Sequence, residues 1–254
     1  MDWTKAKTIL IVALVVTNLV LIATYFTQNN RFENDEKKME DVTIKLLEEK
    51  NIFVETDIPE ERPRMARLTV QFDTMDEDVV NEQLAKQKPL PAEEQTDENL
   101  VARAEDFIEK CGLMTENVTF SHIARTGSGT QSETAVFFKN YINGIAIEDS
   151  HIICTIEDGR ITGFDRYWLN PVEVNNMERE VTPAVAALVR FMSETTGEEK
   201  IHVEDITLVY WLDSSVFDAE SPVIDTAFPA WRITYNQGDD RINTKVAHIM
   251  AWEQ

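Results

Sequence analysis

The strongest hydrophobic pattern in the chain is a run of 19 uncharged residues, Thr8–Phe26, close to its start. At about 1.5 Å per residue, a helix over this run is roughly 28 Å long, which matches the hydrocarbon thickness of a bilayer. Its many isoleucine, leucine and valine residues favour insertion more strongly than its few polar residues oppose it. We therefore predict a transmembrane helix over residues 9–26.

The flanks of this run predict its orientation. Lys5 and Lys7 lie on the short amino side, and a long acidic region follows the run. The positive-inside rule, together with the short tail, favours a cytoplasmic tail over 1–8 and an extracytoplasmic region over 27–254. We thus expect a single-pass protein of the plasma membrane. A cleaved signal peptide is the alternative, although the apolar core of such a peptide usually has only about 7–15 residues.

Amphipathic and alternating segments follow the apolar run. An apolar stripe at helical spacing predicts a charged amphipathic helix over 33–50. Short strands are predicted at 52–55 and 67–72, and a short helix at about 76–87 precedes a linker that contains two prolines. We assign residues 27–95 to an amino-terminal extracytoplasmic lobe and linker.

The next region has the clearest local signals. Thr96 is a suitable N-cap for a helix with apolar residues at helical spacing, and Gly112 supplies its C-terminal stop. Strands follow, joined by Asn-Gly at 143–144 and Asp-Gly at 158–159. Both dipeptides tolerate the positive φ that two-residue hairpin turns demand, so they predict an antiparallel meander.

The same order of elements then recurs. The Thr-Pro pair at 182–183 is predicted to cap and begin a helix that starts 86 residues after the helix at 97. The fold class we predict is α+β: one transmembrane helix, then tandem helix-plus-antiparallel-sheet units over 96–254. The apolar face of the second helix is predicted to contain Val185, Leu188, Val189 and Met192, and its strands to cover about 206–212, 228–235 and 242–252.

Composition narrows the function classes. The chain has 24 Lys and Arg against 46 Asp and Glu, a net charge of −22, so it lacks the basic face that a nucleic-acid binder needs. Two cysteines exclude a disulfide-rich scaffold and a cysteine-based zinc site. Cys111 and Cys154 each lie among apolar residues, and we prefer two buried free thiols over the alternative of a disulfide.

No pattern in the sequence indicates catalysis. The Gly-Ser-Gly segment at 127–129 lacks both the nucleophile elbow and the Walker lysine, and we interpret it as a turn. We therefore predict a protein that is not an enzyme and has no catalytic residue, metal or cofactor. The histidines lack the spacing of a zinc site, and we interpret them as strand residues: His122, His151, His202 and His248.

The apolar run contains polar and small residues that a simple anchor does not need. Asn18 lies near the predicted bilayer midplane, where an unpaired side-chain amide is costly and favours a partner in another helix. Ala13 and Thr17 follow a small-x-x-x-small spacing, and Thr24 lies two turns further on. We predict that these four residues contact a partner helix; the alternative is that a very hydrophobic helix tolerates one asparagine.

Several motifs resemble one known family. The opening MDWTKAKTI before a single span, together with NGIAIEDSHI, GRITGFDRYW and FPAWRI, resembles the YycI family, and the layout covers the whole chain. The outer units also resemble PepSY-type and YycH-type modules. The resemblance implies an accessory regulator of the sensor histidine kinase WalK (YycG) of low-GC Gram-positive bacteria, acting together with YycH. In that family, the transmembrane helices contact those of the kinase.

Two functional hypotheses follow from the resemblance and the residues. The first is a non-catalytic regulator that uses contacts of 9–26 with WalK and a YycH-type protein to tune two-component signalling for cell-wall metabolism. The second is an anchored extracytoplasmic module that binds or inhibits a peptide, a protease or a wall fragment. The lipid bilayer is the further partner that we expect, nucleic acid is not expected, and homodimerisation is left open.

Overall fold

The computed structural model describes residues 14, 17–18, 38–126, 133–175, 177–195, 199–212, 224–238 and 244–252. These ranges contain four α-helices and eleven strands. The helices are α1 over 38–48, α2 Glu77–Ala85, α3 Asp97–Lys110 and α4 Ala184–Glu194, with a 3₁₀ turn at Ala92–Glu94. The strands are β1 Ile52–Val54, β2 Arg64–Met65, β3 Leu68–Asp73, β4 Val118–Thr126, β5 Glu133–Ile142, β6 Ile145–Glu157, β7 Arg160–Val174, β8 Arg179–Glu180, β9 Ile201–Trp211, β10 Ile224–Gln237 and β11 Thr244–Met250.

Nine of these strands form one sheet, in the order β1-β9-β10-β3-β7-β6-β5-β4 with β11 beside β10. The long strand β10 pairs first with β3 and then, over its remaining length, with β9. A short parallel pairing joins Ala146 and Ile147 of β6 to Val209 and Tyr210 of β9. The strands β6, β7, β3, β10 and β9 therefore close into a ring, and β5 and β4 extend from it. The remaining strands, β2 and β8, pair with each other.

Two clusters of buried residues hold the helices against the sheet. The larger includes Leu47 of α1, Leu188 of α4 and Trp231 of β10. The smaller includes Phe107 of α3 and Trp168 of β7. Helices α1, α3 and α4 therefore each bury apolar residues on the sheet, which is where most of a helix's stability arises, although Met39, Val42 and Leu46 of α1 are exposed.

The predictions of the two hairpin turns and of the Thr96 cap are confirmed. Asn143, Gly144, Asp158 and Gly159 all have positive φ, between 48° and 81°, as two-residue hairpins between β5 and β6 and between β6 and β7 require. The Thr96 side chain accepts a hydrogen bond from the amide of Asn99 and caps α3. These features depend on residues close in sequence, so the pattern alone predicts them.

The predicted fold class, with tandem helix-plus-antiparallel-sheet units over 96–254, is wrong. The units do not form separate sheets, because β3 lies between β7 and β10 and β6 also pairs with β9. Within the described ranges, no helix combines the length and the apolar character that crossing a membrane requires. Periodicity predicts which faces are apolar, but strand pairing between distant segments depends on how the apolar faces pack together.

The segment 9–26 falls almost entirely outside the described residues. Leu14, Thr17 and Asn18 are the described exceptions, and each is helical and exposed. The division into 1–8, 9–26, 27–95 and 96–254 stays a prediction.

Helix α4 begins one residue later than predicted, and most of its predicted apolar face packs on the core: Leu188 is buried, and Val185 and Met192 are partly buried against it. Pro183 is its N-cap and makes no side-chain cap bond, while the Thr182 hydroxyl donates to the carbonyl of Ala251. Val189, expected on the buried face, is 41% exposed. Phe191 is buried instead and packs edge-on against Tyr235, 5.0 Å between ring centroids. The orientation of α4 therefore buries the large Phe191 ring against the sheet and leaves the smaller Val189 side chain exposed.

Candidate functional site

The predicted membrane contact residues are only partly described. Thr17 and Asn18 lie in helical conformation with exposed side chains. Ala13 and Thr24 lie outside the described residues, as does the Gly-Ser-Gly segment at 127–129. The contact role of these residues stays a prediction.

All four histidines lie on strands, as the sequence predicted, and each stacks on an aromatic ring. The described residues contain no group of three or more side chains that could hold a metal ion. Stacking fixes the orientation of an imidazole ring but does not by itself indicate a catalytic or ligand-binding role. The pairs, with centroid separations, are His122 with Phe137 at 4.4 Å, His151 with Tyr167 at 6.3 Å, His202 with Phe53 at 5.4 Å and His248 with Trp211 at 5.2 Å.

The most concentrated set of charges surrounds Glu148, whose side chain is only 12% exposed. The Lys139 ammonium lies 3.5 Å and the Arg232 guanidinium 3.2 Å from Glu148 Oε2. Arg232 also bonds Asp205 Oδ2 at 3.1 Å. His248 Nε2 lies 3.6 Å from Glu148 Oε1. We call these five residues the Glu148 cluster; each comes from a different strand, β5, β6, β9, β10 or β11.

The Glu148 cluster lies at the closure of the ring. Glu148 directly follows Ala146 and Ile147, the two residues of β6 that pair with β9. Asp205 lies on β9 and Arg232 on β10, opposite Thr207. The ion pairs therefore join the strands that meet at the closure, and the Arg232 guanidinium bridges two carboxylates.

The environment of Glu148 strongly favours its ionised form. Burial alone would raise the pKa of this carboxyl, but the combined effect of His248, Lys139 and Arg232 is larger and lowers the pKa from 4.5 to about 2. Glu148 is therefore a permanent anion near neutral pH. Lys139 and Arg232 form ion pairs with its charge, and only 12% of the side chain is exposed to solvent.

Asp149, the next residue, has the opposite environment. Burial and the negative charge of Glu148 raise the pKa of Asp149 above its ordinary value. Its Oδ2 atom is buried, and no described residue donates a hydrogen bond to it. Two neighbouring carboxyls with pKa values pushed apart are a common feature of functional sites, although structural ion networks show it as well.

The two cysteines are free thiols in the structure. Cys154 is buried on β6, and burial raises the pKa of its thiol to about 12. Cys111 is only partly buried at the C-cap of α3, and burial raises its pKa too. Both groups remain protonated at neutral pH, which makes them poor nucleophiles and metal ligands.

Sequence reasoning missed the Glu148 cluster, although a signal for it was present. Glu148 lies in the motif NGIAIEDSHI, and Arg232 lies in FPAWRI. In both motifs a charged residue directly follows apolar strand residues, and a charge at such a position must be paired if it is to be buried. The sequence could indicate that a partner exists, but a separation of 84 positions along the chain gave no means of identifying it.

Comparison with protein-family models identifies the family of this chain. A family model described as YycI protein matches residues 29–248, which is most of the chain. No curated protein matches the chain. The matched range includes the whole Glu148 cluster and both of its motifs.

Proposed function

The chain belongs to the YycI family, and from that premise we propose that it is a membrane-anchored, non-catalytic regulator of the sensor histidine kinase WalK (YycG). YycI is a regulatory accessory family, so membership associates the chain with the WalK two-component system. In our proposal the protein acts together with a YycH-type protein and tunes signalling for cell-wall metabolism. The single observation that carries this proposal is the family match over residues 29–248.

We propose that the uncharged segment 9–26 makes the contact with the kinase inside the membrane. The amino end then lies in the cytoplasm and residues 27–254 lie outside the cell. Support comes from the sequence: the run is long enough for a bilayer, and Asn18 supplies an amide that gains from a partner in hydrocarbon. Ala13, Thr17 and Thr24 are small enough to let two helices approach closely.

The energy that this mechanism requires is small. Shifting a two-state kinase tenfold needs about 1.4 kcal/mol of differential contact energy between its two states. One interhelical hydrogen bond contributes roughly 0.6–2 kcal/mol, so Asn18 with close packing at its small neighbours supplies enough. In this mechanism the region 27–254 does not need to contribute to the energy of the kinase shift.

The test is Asn18→Leu in cells, together with replacement of 9–26 by an unrelated apolar segment. Leu14→Ile is the matched control, since it changes shape but not polarity in the same segment. We expect both test variants to reduce co-purification with the kinase and to change kinase output at equal protein level, while the control does neither. Unchanged output and co-purification in both test variants would refute the membrane contact.

The second candidate function, an anchored binding module, is favoured by a cleft of about 690 Å³ between α3 and β4. Val101, Phe120 and Ile123 give it apolar lining, and α3 contributes acidic side chains. Clefts of this size bind small ligands or peptide side chains. A version of the protein restricted to residues 28–254 distinguishes the two functions: full activity in cells would favour the binding module over the membrane contact.

A further inference from the structure

A small cavity of about 260 Å³ lies where β3, the end of β7 and β8 meet the end of the described chain. It is separate from the Glu148 cluster and from the cleft beside α3. Among the described residues that line it none is acidic, although the chain has 46 acidic residues and 24 basic ones. The lining residues are Arg67, Asn175, Met177, Arg179 and Trp252.

The two arginines are held by aromatic rings rather than by carboxylates. Arg67 Cζ lies 5.0 Å from the ring centroid of Phe228 and 5.8 Å from that of Trp252, and Arg179 Cζ lies 5.9 Å from Trp252. Within the described part of the chain, neither guanidinium makes a hydrogen bond or an ion pair. Stacking occupies the faces of a guanidinium and leaves the N–H groups at its edge free to donate.

Trp252 provides a third donor. Its side chain is more than nine-tenths buried, since the residue is 7% exposed, and no described residue accepts a hydrogen bond from Nε1. The buried Trp231, in contrast, donates from Nε1 to the carbonyl of Thr182 at 2.8 Å. A buried N–H is nearly always paired, so an indole without an acceptor beside a cavity indicates a ligand that accepts.

We propose that this cavity binds an oxyanion, the carboxylate or phosphate group of a small molecule. The edges of Arg67 and Arg179 donate to the anion, as guanidinium groups do to both of these anions, and Trp252 Nε1 donates to a remaining oxygen. At about 30 Å³ of liquid volume per water, the cavity has room for the anion and a short organic substituent.

The experiment is titration calorimetry of the full chain in detergent at constant ionic strength. Succinate and inorganic phosphate are the two probes, which distinguish a carboxylate source from a phosphate source, and chloride is the reference. The test variants are Arg67→Gln/Arg179→Gln and Trp252→Phe, which removes the N–H but keeps an aromatic ring. Arg160→Gln/Arg190→Gln is the control, because it makes the same charge change at two exposed arginines that do not line the cavity.

We expect saturable binding of at least one probe to the wild type and to the control. The double arginine variant should bind at least about tenfold more weakly, and Trp252→Phe several-fold more weakly. No binding above the chloride reference would overturn the proposal. Equal weakening in the control, or unchanged affinity in Trp252→Phe, would overturn it too, because the buried donor distinguishes this cavity from a general surface attraction. Circular dichroism and thermal unfolding confirm that each variant is folded.

Discussion

Glu148 is the residue whose replacement tests the structure most directly. The substitution Glu148→Gln keeps the size of the side chain but removes the charge that Lys139, Arg232 and His248 surround. Arg232 retains Asp205 as a partner, so the variant weakens the closure of the ring without leaving that guanidinium unpaired. We expect the variant to fold but to be less stable than the wild type at neutral pH.

The magnitude follows from the pKa of Glu148. Its decrease from 4.5 to about 2, at roughly 1.4 kcal/mol per unit, corresponds to an upper bound of about 3 kcal/mol for the favoured ionised form. Solvent reaches part of the cluster and screens these charges, which reduces the expected loss to about 2 kcal/mol. A loss of this size is a large fraction of the free energy of unfolding of a typical domain.

The sign of the pH dependence is specific. Because the pKa of Glu148 is lower in the folded state than in the unfolded state, its stabilisation is complete above about pH 4.5 and is lost as the pH falls towards 2. The variant has no such contribution. The difference in free energy of unfolding between wild type and variant, measured by urea titration with tryptophan fluorescence, should therefore be about 2 kcal/mol at pH 7 and decrease steadily between pH 5 and pH 3.

Glu157→Gln is the matched control, because Glu157 lies on the same strand and is exposed. Its effect should stay within about 0.5 kcal/mol at every pH. The reasoning is refuted if Glu148→Gln costs no more than this control at pH 7, or if its cost is the same at pH 3 as at pH 7.

Three further predictions concern other sites. Asp149→Asn should raise the free energy of unfolding at pH 7, since a carboxyl whose pKa is raised by the fold destabilises the folded state once it ionises. A lower free energy of unfolding in urea titration would contradict this. Gly159→Ala should lower the free energy of unfolding by about 2–4 kcal/mol, because residue 159 has positive φ and the new Cβ would lie 2.9 Å from the backbone nitrogen of Leu90. Gly144→Ala also has positive φ but places its Cβ in open space, so it should cost only about 1–2 kcal/mol. Equal melting temperatures of the two variants would refute this difference. Cys111 should react with a thiol reagent faster than Cys154, whose labelling should require unfolding; equal rates in the native protein would show that Cys154 is accessible.

The sequence by itself determined the features that depend on neighbouring residues. Asn143-Gly144 and Asp158-Gly159 fixed two hairpins because few other residues accept positive φ, and Thr96 fixed the start of α3 because its hydroxyl reaches an amide three residues away. The motifs also pointed to the family that the later comparison identified. Each of these signals lies within a few residues and needs no knowledge of the remaining chain.

Only the tertiary structure decided how distant segments meet. The insertion of β3 between β7 and β10, and the pairing of β6 with β9, closed one sheet where the pattern indicated repeated units. The same closure brought Glu148 to Arg232, and the fold brought Arg67 to Trp252. Strands so far apart in sequence pair when the free energy gained by burying whole apolar faces exceeds the entropic cost of closing the long loops between them. The spacing of residues within one segment does not predict which distant strand will be its partner.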